Sequence, residues 1–290
     1  MAVSAPLRLA DKAPYSVGFA QRVASLNARP RLDVQVCDHC NLRCAGCMHF
    51  APLAPERYLD LGEYERDLRC LAAVEGISGF FEAVVLMGGE PLLHPSIAKI
   101  VRLTRCVLPE ERIQLGTNGL LLGSMGDAFW DAVVDCDVEI VISAYPIRVD
   151  YTALFALVSG HGIRASYAGD FTRTGRGKDA FVRLALDPEG RCDPVSSFVG
   201  CPLGGCTMQI ARGALWPCQV AAHHGFFTRR FGYAMHDDEG DSLSLASIAS
   251  ADDIEDFRRS PHPMCRHCDS GRLSVAPWKR SAFAADEWLA

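Results

Sequence analysis

The sequence predicts an α/β fold, a partial barrel of parallel strands and helices followed by a smaller cysteine-rich unit. Three observations carry this. Short apolar strands alternate with helical segments through residues 31–190, the pattern of right-handed parallel βαβ units. The alternation then stops. Thirteen cysteines fall largely in two groups, one near the start of the alternating stretch and one beyond its end.

Residues 1–30 read as a lead-in, with a helix expected around Val17–Ala24. Leu32–Val36 alternates like a strand and runs directly into a cysteine loop. A helix is expected at Leu61–Val74 and a strand at Ala83–Met87, closed by Gly88-Gly89-Glu90-Pro91. The series continues with a helix at Pro95–Cys106, a strand at Arg112–Gly116 and a turn at Thr117-Asn118-Gly119. Next come a helix at Met125–Cys136, a strand at Val138–Ile142 ending in Ser143, a helix at Tyr151–Gly160 and a strand at Ile163–Tyr167. A sixth strand at Phe181–Leu186 still leaves the series short of a closed eight-stranded barrel. Loops that follow parallel strands gather at one mouth, so the cysteine loop and the Gly88–Pro91 turn should meet there.

With 290 residues, 49% of them hydrophobic, the chain can bury one large domain (31–190) plus an appendage (191–290). A net charge of −6 argues against a nucleic-acid surface. No apolar run is long enough to span a bilayer, and the start lacks a signal-peptide pattern, so the expected location is the cytoplasm. Thiols stay reduced there. Metal or cluster ligation is therefore the expected use of the cysteines. Nothing in the sequence speaks to oligomeric state.

Cys40, Cys44 and Cys47 stand on one loop with gaps of three and two residues. Three thiolates can hold three irons of a 4Fe–4S cubane and leave the fourth open. A structural zinc site that adds Cys37 is the competing account. The Gly-Gly pair lets backbone approach a neighbour closely, and Glu90 offers an acceptor for an ammonium group. Together the two motifs resemble those of the radical S-adenosylmethionine (SAM) superfamily. The resemblance implies a partial (β/α)6 TIM-like barrel in which a 4Fe–4S cluster on Cys40, Cys44 and Cys47 works with SAM. It also implies SAM contacts from Gly88, Gly89, Glu90, Pro91, Asn118 and Ser143. One departure is Gly46, where the family usually carries an aromatic near the adenine; Phe50 or His49 is expected to substitute.

Beyond residue 190, Cys201 and Cys218 flank a hairpin that turns at Gly213, and Cys265 and Cys268 follow as a Cys-x-x-Cys pair. This resembles the twitch subdomain, a shortened auxiliary-cluster domain. The resemblance implies a second 4Fe–4S cluster on Cys201, Cys218, Cys265 and Cys268, although a four-cysteine zinc site has the same spacing. Cys70, Cys106 and Cys136 read as small core residues, and Cys37 as a packing residue beside the loop.

The twitch arrangement is similar to carbohydrate and aminocyclitol enzymes of aminoglycoside biosynthesis, which take a hydrogen atom from a carbinol carbon. The implied partners are a small carbohydrate or aminocyclitol substrate and a reductant such as flavodoxin or ferredoxin. A spare thiol separates two fates of the substrate radical. Epimerisation is the expected outcome and ketone formation the alternative: Cys192, nine residues before Cys201, is the expected hydrogen donor, with Cys206 its rival. Without a donor, the auxiliary cluster accepts an electron and the alcohol becomes a ketone. The polar loop Asp170–Asp179 and the acids Asp193, Asp237, Asp238 and Glu239 are candidate substrate contacts. Peptide modification is the lesser alternative.

Overall fold

The computed structural model describes residues 26–168 and 177–290. The lead-in helix expected at Val17–Ala24 and most of the Asp170–Asp179 loop lie outside the described residues. Five strands form the parallel series: β1 (Arg31–Cys37), β2 (Ala83–Gly88), β3 (Ile113–Thr117), β4 (Val138–Ile142) and β5 (Ala165–Tyr167). Between them run α1 (Leu61–Ala72), α2 (Ile97–Val107), α3 (Asp127–Asp135) and α4 (Tyr151–Gly160). The α/β fold class and its mostly parallel sheet are as the sequence predicts.

The sixth strand pairs elsewhere. β6 (Ala180–Arg183) joins β10 (Ser274–Pro277) in a separate antiparallel ribbon. At the other edge of the sheet, β1 is joined by β7 (Thr207–Ala211), which is parallel to it, followed by β8 (Ala214–Trp216) and β9 (Leu243–Ser244). The sheet order is therefore β5-β4-β3-β2-β1-β7-β8-β9. The cysteine-rich segment thus extends the same sheet. Arg212 and Gly213 both have positive φ (55° and 71°), as a two-residue primed turn between antiparallel strands requires.

The two faces of the sheet differ. Leu32, Val34, Leu86, Ile113, Leu115 and Ile140 pack with Leu68, Ile100 and Val133 of the helices in one core. The residues one step out of phase point the other way and are polar at several positions: Asp33, Gln35, Gln114, Glu139, Ser166 and Gln209. Hydrogen bonds cross this face, with Gln114 Nε2 donating to Glu139 (3.1 Å) and Thr207 Oγ1 to Asp33 (2.6 Å).

A second core joins the cysteine-rich segment to the chain's end. Phe50, Trp216, Val220, Phe227 and Trp288 belong to it, with α6 (Gln219–His223) and α7 (Gly225–Phe231) around them. Three further segments complete the description of this half: α5 (Pro194–Gly200), α8 (Ala251–Arg259) and the tail that follows β10. Among the described residues no helix is long and apolar enough to cross a membrane.

Trp288 is fully buried, stacks near Phe50 and Phe227 (ring centroids 6.1 and 6.2 Å) and donates Nε1 to Cys47 O at 2.9 Å. Trp288→Ala should cost about 3–5 kcal/mol, read as a lower urea midpoint. A loss under about 1 kcal/mol would show that the tail is not part of this core.

Candidate active site

β1 carries the chain straight into the Cys40–Cys47 loop, and the tail crosses it. Ala45 N donates to Lys279 O (3.0 Å) and Ser281 N to Arg43 O (2.9 Å). Gly46 has φ 67°, and a Cβ there would lie 2.9 Å from Glu287 O. The tail thus explains the missing aromatic at this position. Neither expected substitute is free to replace it: Phe50 is fully buried in the second core and His49 Nδ1 is engaged by Gln35 Oε1 (2.9 Å).

The three thiols feel one another. Cys40 is pushed up by burial first and then by Glu90, with Cys47 and Cys44 adding smaller effects. Cys44 rises to about 11 through burial and the neighbouring Cys47; hydrogen bonds from Trp278 and Tyr145 and the nearby Lys178 act in the opposite direction. Among the described residues no three Cys, His, Asp or Glu side chains converge on one point as ligands of a single ion. A cubane asks for a different arrangement, because each thiolate meets its own iron. Three mutually close thiols on one loop, with the buried Lys178 beside two of them and held below its usual range by that burial, fit that donor set.

The Gly88–Pro91 turn locks onto this loop. Gly89 N donates to Cys37 O (2.8 Å) and Glu90 N to His39 O (3.1 Å). A Cβ on Gly89 would lie 1.9 Å from His39 O, and one on Gly88 (φ 125°) would lie 2.7 Å from Cys37 O. The glycines are needed where two backbone segments touch. Pro91 starts the short 3-10 turn Pro91–Leu93, whose N-cap is Glu90.

Glu90 is buried and accepts three hydrogen bonds. Leu92 N (3.1 Å) and Thr117 Oγ1 (2.7 Å) reach Oε1, and Asn118 N (2.9 Å) reaches Oε2. Burial nonetheless holds its carboxyl up at about 7. A buried carboxylate with a single donor on Oε2 is suited to an incoming cation. Asn118 also ties the loop, its Nδ2 donating to Asn41 Oδ1 (2.7 Å). Ser143 Oγ receives Lys178 Nζ at 3.5 Å, and Lys178 Nζ lies 5.6 Å from the Tyr145 ring centre. The structure therefore brings Gly88, Gly89, Glu90, Pro91, Asn118 and Ser143 to the mouth around the three cysteines.

Sequence reasoning missed a buried polar row next to this loop. Gln35 Nε2 donates to Asp38 Oδ1 (2.8 Å), which fixes the amide's orientation because a carboxylate only accepts. Gln35 Oε1 must then accept from His49 Nδ1, while Gln35 Nε2 faces His223 Nδ1 at 3.3 Å. His223 consequently carries its proton on Nε2, which is buried without a partner among the described residues. Burial holds both imidazoles below their ordinary range, His49 at about 4, so both are neutral. A cleft of about 340 Å³ opens over this row at the ends of β1 and β7, lined by Asp38, Arg57, Arg212, His223 and Arg229 among others. No linear motif joins these residues; the parallel β1–β7 pairing does.

The second cysteine group is also drawn together. Cys218 caps α6 and is pushed up to about 12 by burial, then by Cys201 and Cys265. Cys268 is raised by burial and then by Cys218, Cys201 and Cys265, with Cys192 a weaker neighbour. Cys192 sits at the edge of this group, its thiol raised by burial and by Asp269 and Asp187. It lines a cleft with Asp187, Arg191, Asp269 and Leu289 that shares no residue with the Cys40–Cys47 loop. Cys206 precedes β7, at the end of the strand away from the mouth. Cys37 and Cys136 are buried as expected, but Cys70 and Cys106 are exposed, on the outward sides of α1 and α2.

Because Glu90 holds its proton more tightly folded than unfolded, its contribution to stability is full below pH about 4.5 and is lost as pH rises to about 7. Glu90→Gln lacks this slope. The stability advantage of wild type over Glu90→Gln should therefore shrink between pH 5 and 8 in urea titrations; a constant difference contradicts the buried, ionising carboxyl.

No protein-family profile matches the chain. It is similar to the GTP 3′,8-cyclase of Chlorobaculum tepidum, 33% identical over 102 residues, covering 35% of this chain and 29% of that one. The GTP 3′,8-cyclase of Heliobacterium modesticaldum is 43% identical over 94 residues, covering 31% of this chain and 27% of the relative. The match thus spans about a third or less of these relatives' length. Among solved structures, BtrN in complex with AdoMet and 2-DOIA has the same fold at a TM-score of 0.50 and 14% identity, covering 84% of this chain and 94% of BtrN. The similarity to the cyclases, the shared fold and the motifs at the mouth all support the radical SAM superfamily.

Proposed function

We propose that this protein takes a hydrogen atom from a carbinol carbon of a small polar ring of the aminocyclitol or sugar class and oxidises it to a ketone. The observation that carries the reading is the buried polar row between the two cysteine groups. His49 follows Cys47 by two residues, His223 ends the helix that Cys218 caps, and Gln35 bridges them. A cleft with donors, acceptors and both charge signs suits a ring bearing hydroxyl and amino groups. BtrN, with the same fold, was crystallised with AdoMet and 2-DOIA.

In this reading Cys40, Cys44 and Cys47 hold a 4Fe–4S cluster, and Gly88, Gly89, Glu90, Pro91, Asn118 and Ser143 receive SAM, Glu90 accepting its ammonium group. When bound, these groups supply a hydrogen-abstracting radical. The protein's own share is to hold the ring, keep water out and accept the hydroxyl proton. Ketone formation needs a place for one further electron, and Cys201, Cys218, Cys265 and Cys268 would hold the accepting 4Fe–4S cluster. A low-potential donor such as flavodoxin or ferredoxin is the implied reductant.

Inversion with Cys192 as donor is the second reading. It is favoured by the thiol's nearness to the auxiliary group. A thiol donor would also be left as a sulfur radical needing an electron and a proton.

Anaerobically reconstituted protein with dithionite and SAM should form 5′-deoxyadenosine, faster with an aminocyclitol substrate. In D2O the product should be a ketone without carbon-bound deuterium, and Cys192→Ala should behave alike. One deuterium at an inverted carbon, lost in Cys192→Ala, would replace oxidation by epimerisation. Absence of 5′-deoxyadenosine would overturn both.

A further inference from the structure

The tail beyond β10 does more than cover the mouth. Trp278 Nε1 donates to Cys44 Sγ at 3.1 Å. The fold fixes this contact from several directions. Trp278 N donates to Asp179 O (2.6 Å), and the preceding residues pair with β6 in the antiparallel ribbon. The two residues after it run antiparallel to the loop, with a bridge between Cys44 and Arg280. Arg43 stacks on Phe283 (5.5 Å), and Trp288 holds Cys47 O. The indole ring is also close to Tyr145, with centroids 5.9 Å apart.

An indole N–H only donates and has no lone pair for iron. Trp278 therefore cannot serve as a ligand; toward a cluster thiolate it is a fixed hydrogen bond. Of the four tryptophans in the chain, Trp130 and Trp216 donate to the backbone oxygens of Met125 and Ala211, and Trp288 to that of Cys47. Among the described residues Trp278 is the tryptophan that reaches a sulfur. Hydrogen bonds to the sulfurs of an iron–sulfur cluster help set its reduction potential. Reduction adds negative charge to the cluster and its thiolates, so an N–H donor stabilises the reduced form more than the oxidised form.

We propose that Trp278, carried over the loop by the C-terminal tail, raises the reduction potential of the cluster held by Cys40, Cys44 and Cys47 through its hydrogen bond to Cys44. Trp278 is a positioning residue in this scheme, and the inference rests on the cluster reading above without depending on the substrate.

The test is an EPR-monitored redox titration of the reconstituted full chain, with the signal of this cluster recognised by its change on adding SAM. Trp278→Phe keeps the ring and removes the donor. Its midpoint should move to more negative potential, the equilibrium constant for one-electron reduction falling about three- to tenfold, where tenfold is 59 mV. Trp130→Phe, which loses a hydrogen bond to Met125 O and touches no cluster cysteine, should leave the midpoint in place. Pulsed EPR of the wild type grown with 15N-indole tryptophan provides a readout without mutation: a 15N coupling to the reduced cluster is expected. An unchanged midpoint in Trp278→Phe, or no 15N coupling should that variant fail to fold, overturns the proposal. No SAM-responsive cluster signal in the wild type overturns the cluster reading itself, a separate failure.

Discussion

The site depends on one close approach between two backbones. The β2 turn lies against the cysteine loop so tightly that Gly89 N reaches Cys37 O and Glu90 N reaches His39 O, with no room for a Cβ at Gly89. This contact fixes the height of the cysteine loop over the sheet. It also places Glu90 where Thr117 and Asn118 can bind its carboxylate, so β1, β2 and β3 are tied at their mouth ends by one buried acid. A buried carboxyl with three donors is costly to disturb. The turn that would accept a cofactor's ammonium thus also shapes the loop that would hold its iron.

A second organising feature is the division of the sheet into an apolar and a polar face. The apolar face builds the helix-packed core and supplies most of the burial that holds the fold together. α6 docks on the polar face, where Gln219 Nε2 donates to Asp33 and Gln35 Nε2 faces His223 Nδ1. Asp33 Oδ1 and both Gln209 side-chain polar atoms are buried there without hydrogen-bond partners among the described residues.

Much of this was legible in the sequence because it is local. Period-two apolar strands, helical stretches between them, Cys40–Cys44–Cys47 and Gly88–Pro91 are each read within a dozen residues. The strand Val138–Ile142 and the helix Tyr151–Gly160 have the expected bounds. What escaped was tertiary. The residues after Asp179 form a strand, but whether it joins β5 or β10 depends on the tail's return, which no local pattern records. Lys178, His223 and Trp278 reach the mouth from separate segments, and a lone Trp or Lys carries no signal of its destination. Gly46 looked like a departure from a binding motif; the tail carbonyl at Glu287 accounts for it. Cys70 and Cys106 misled because apolar neighbours in a helix do not say which side a residue takes.

We propose that the cysteines form two separate cluster sites, with Cys40, Cys44 and Cys47 at the mouth and Cys201, Cys218, Cys265 and Cys268 in the segment beyond it. Iron and sulfide analysis after anaerobic reconstitution tests it most directly. Wild type should hold about eight of each, as two 4Fe–4S clusters require. Joint replacement of Cys40, Cys44 and Cys47 by Ala should leave about half, and so should joint replacement of Cys201, Cys218, Cys265 and Cys268. Stoichiometric zinc, or iron that vanishes entirely in either variant, would contradict the account.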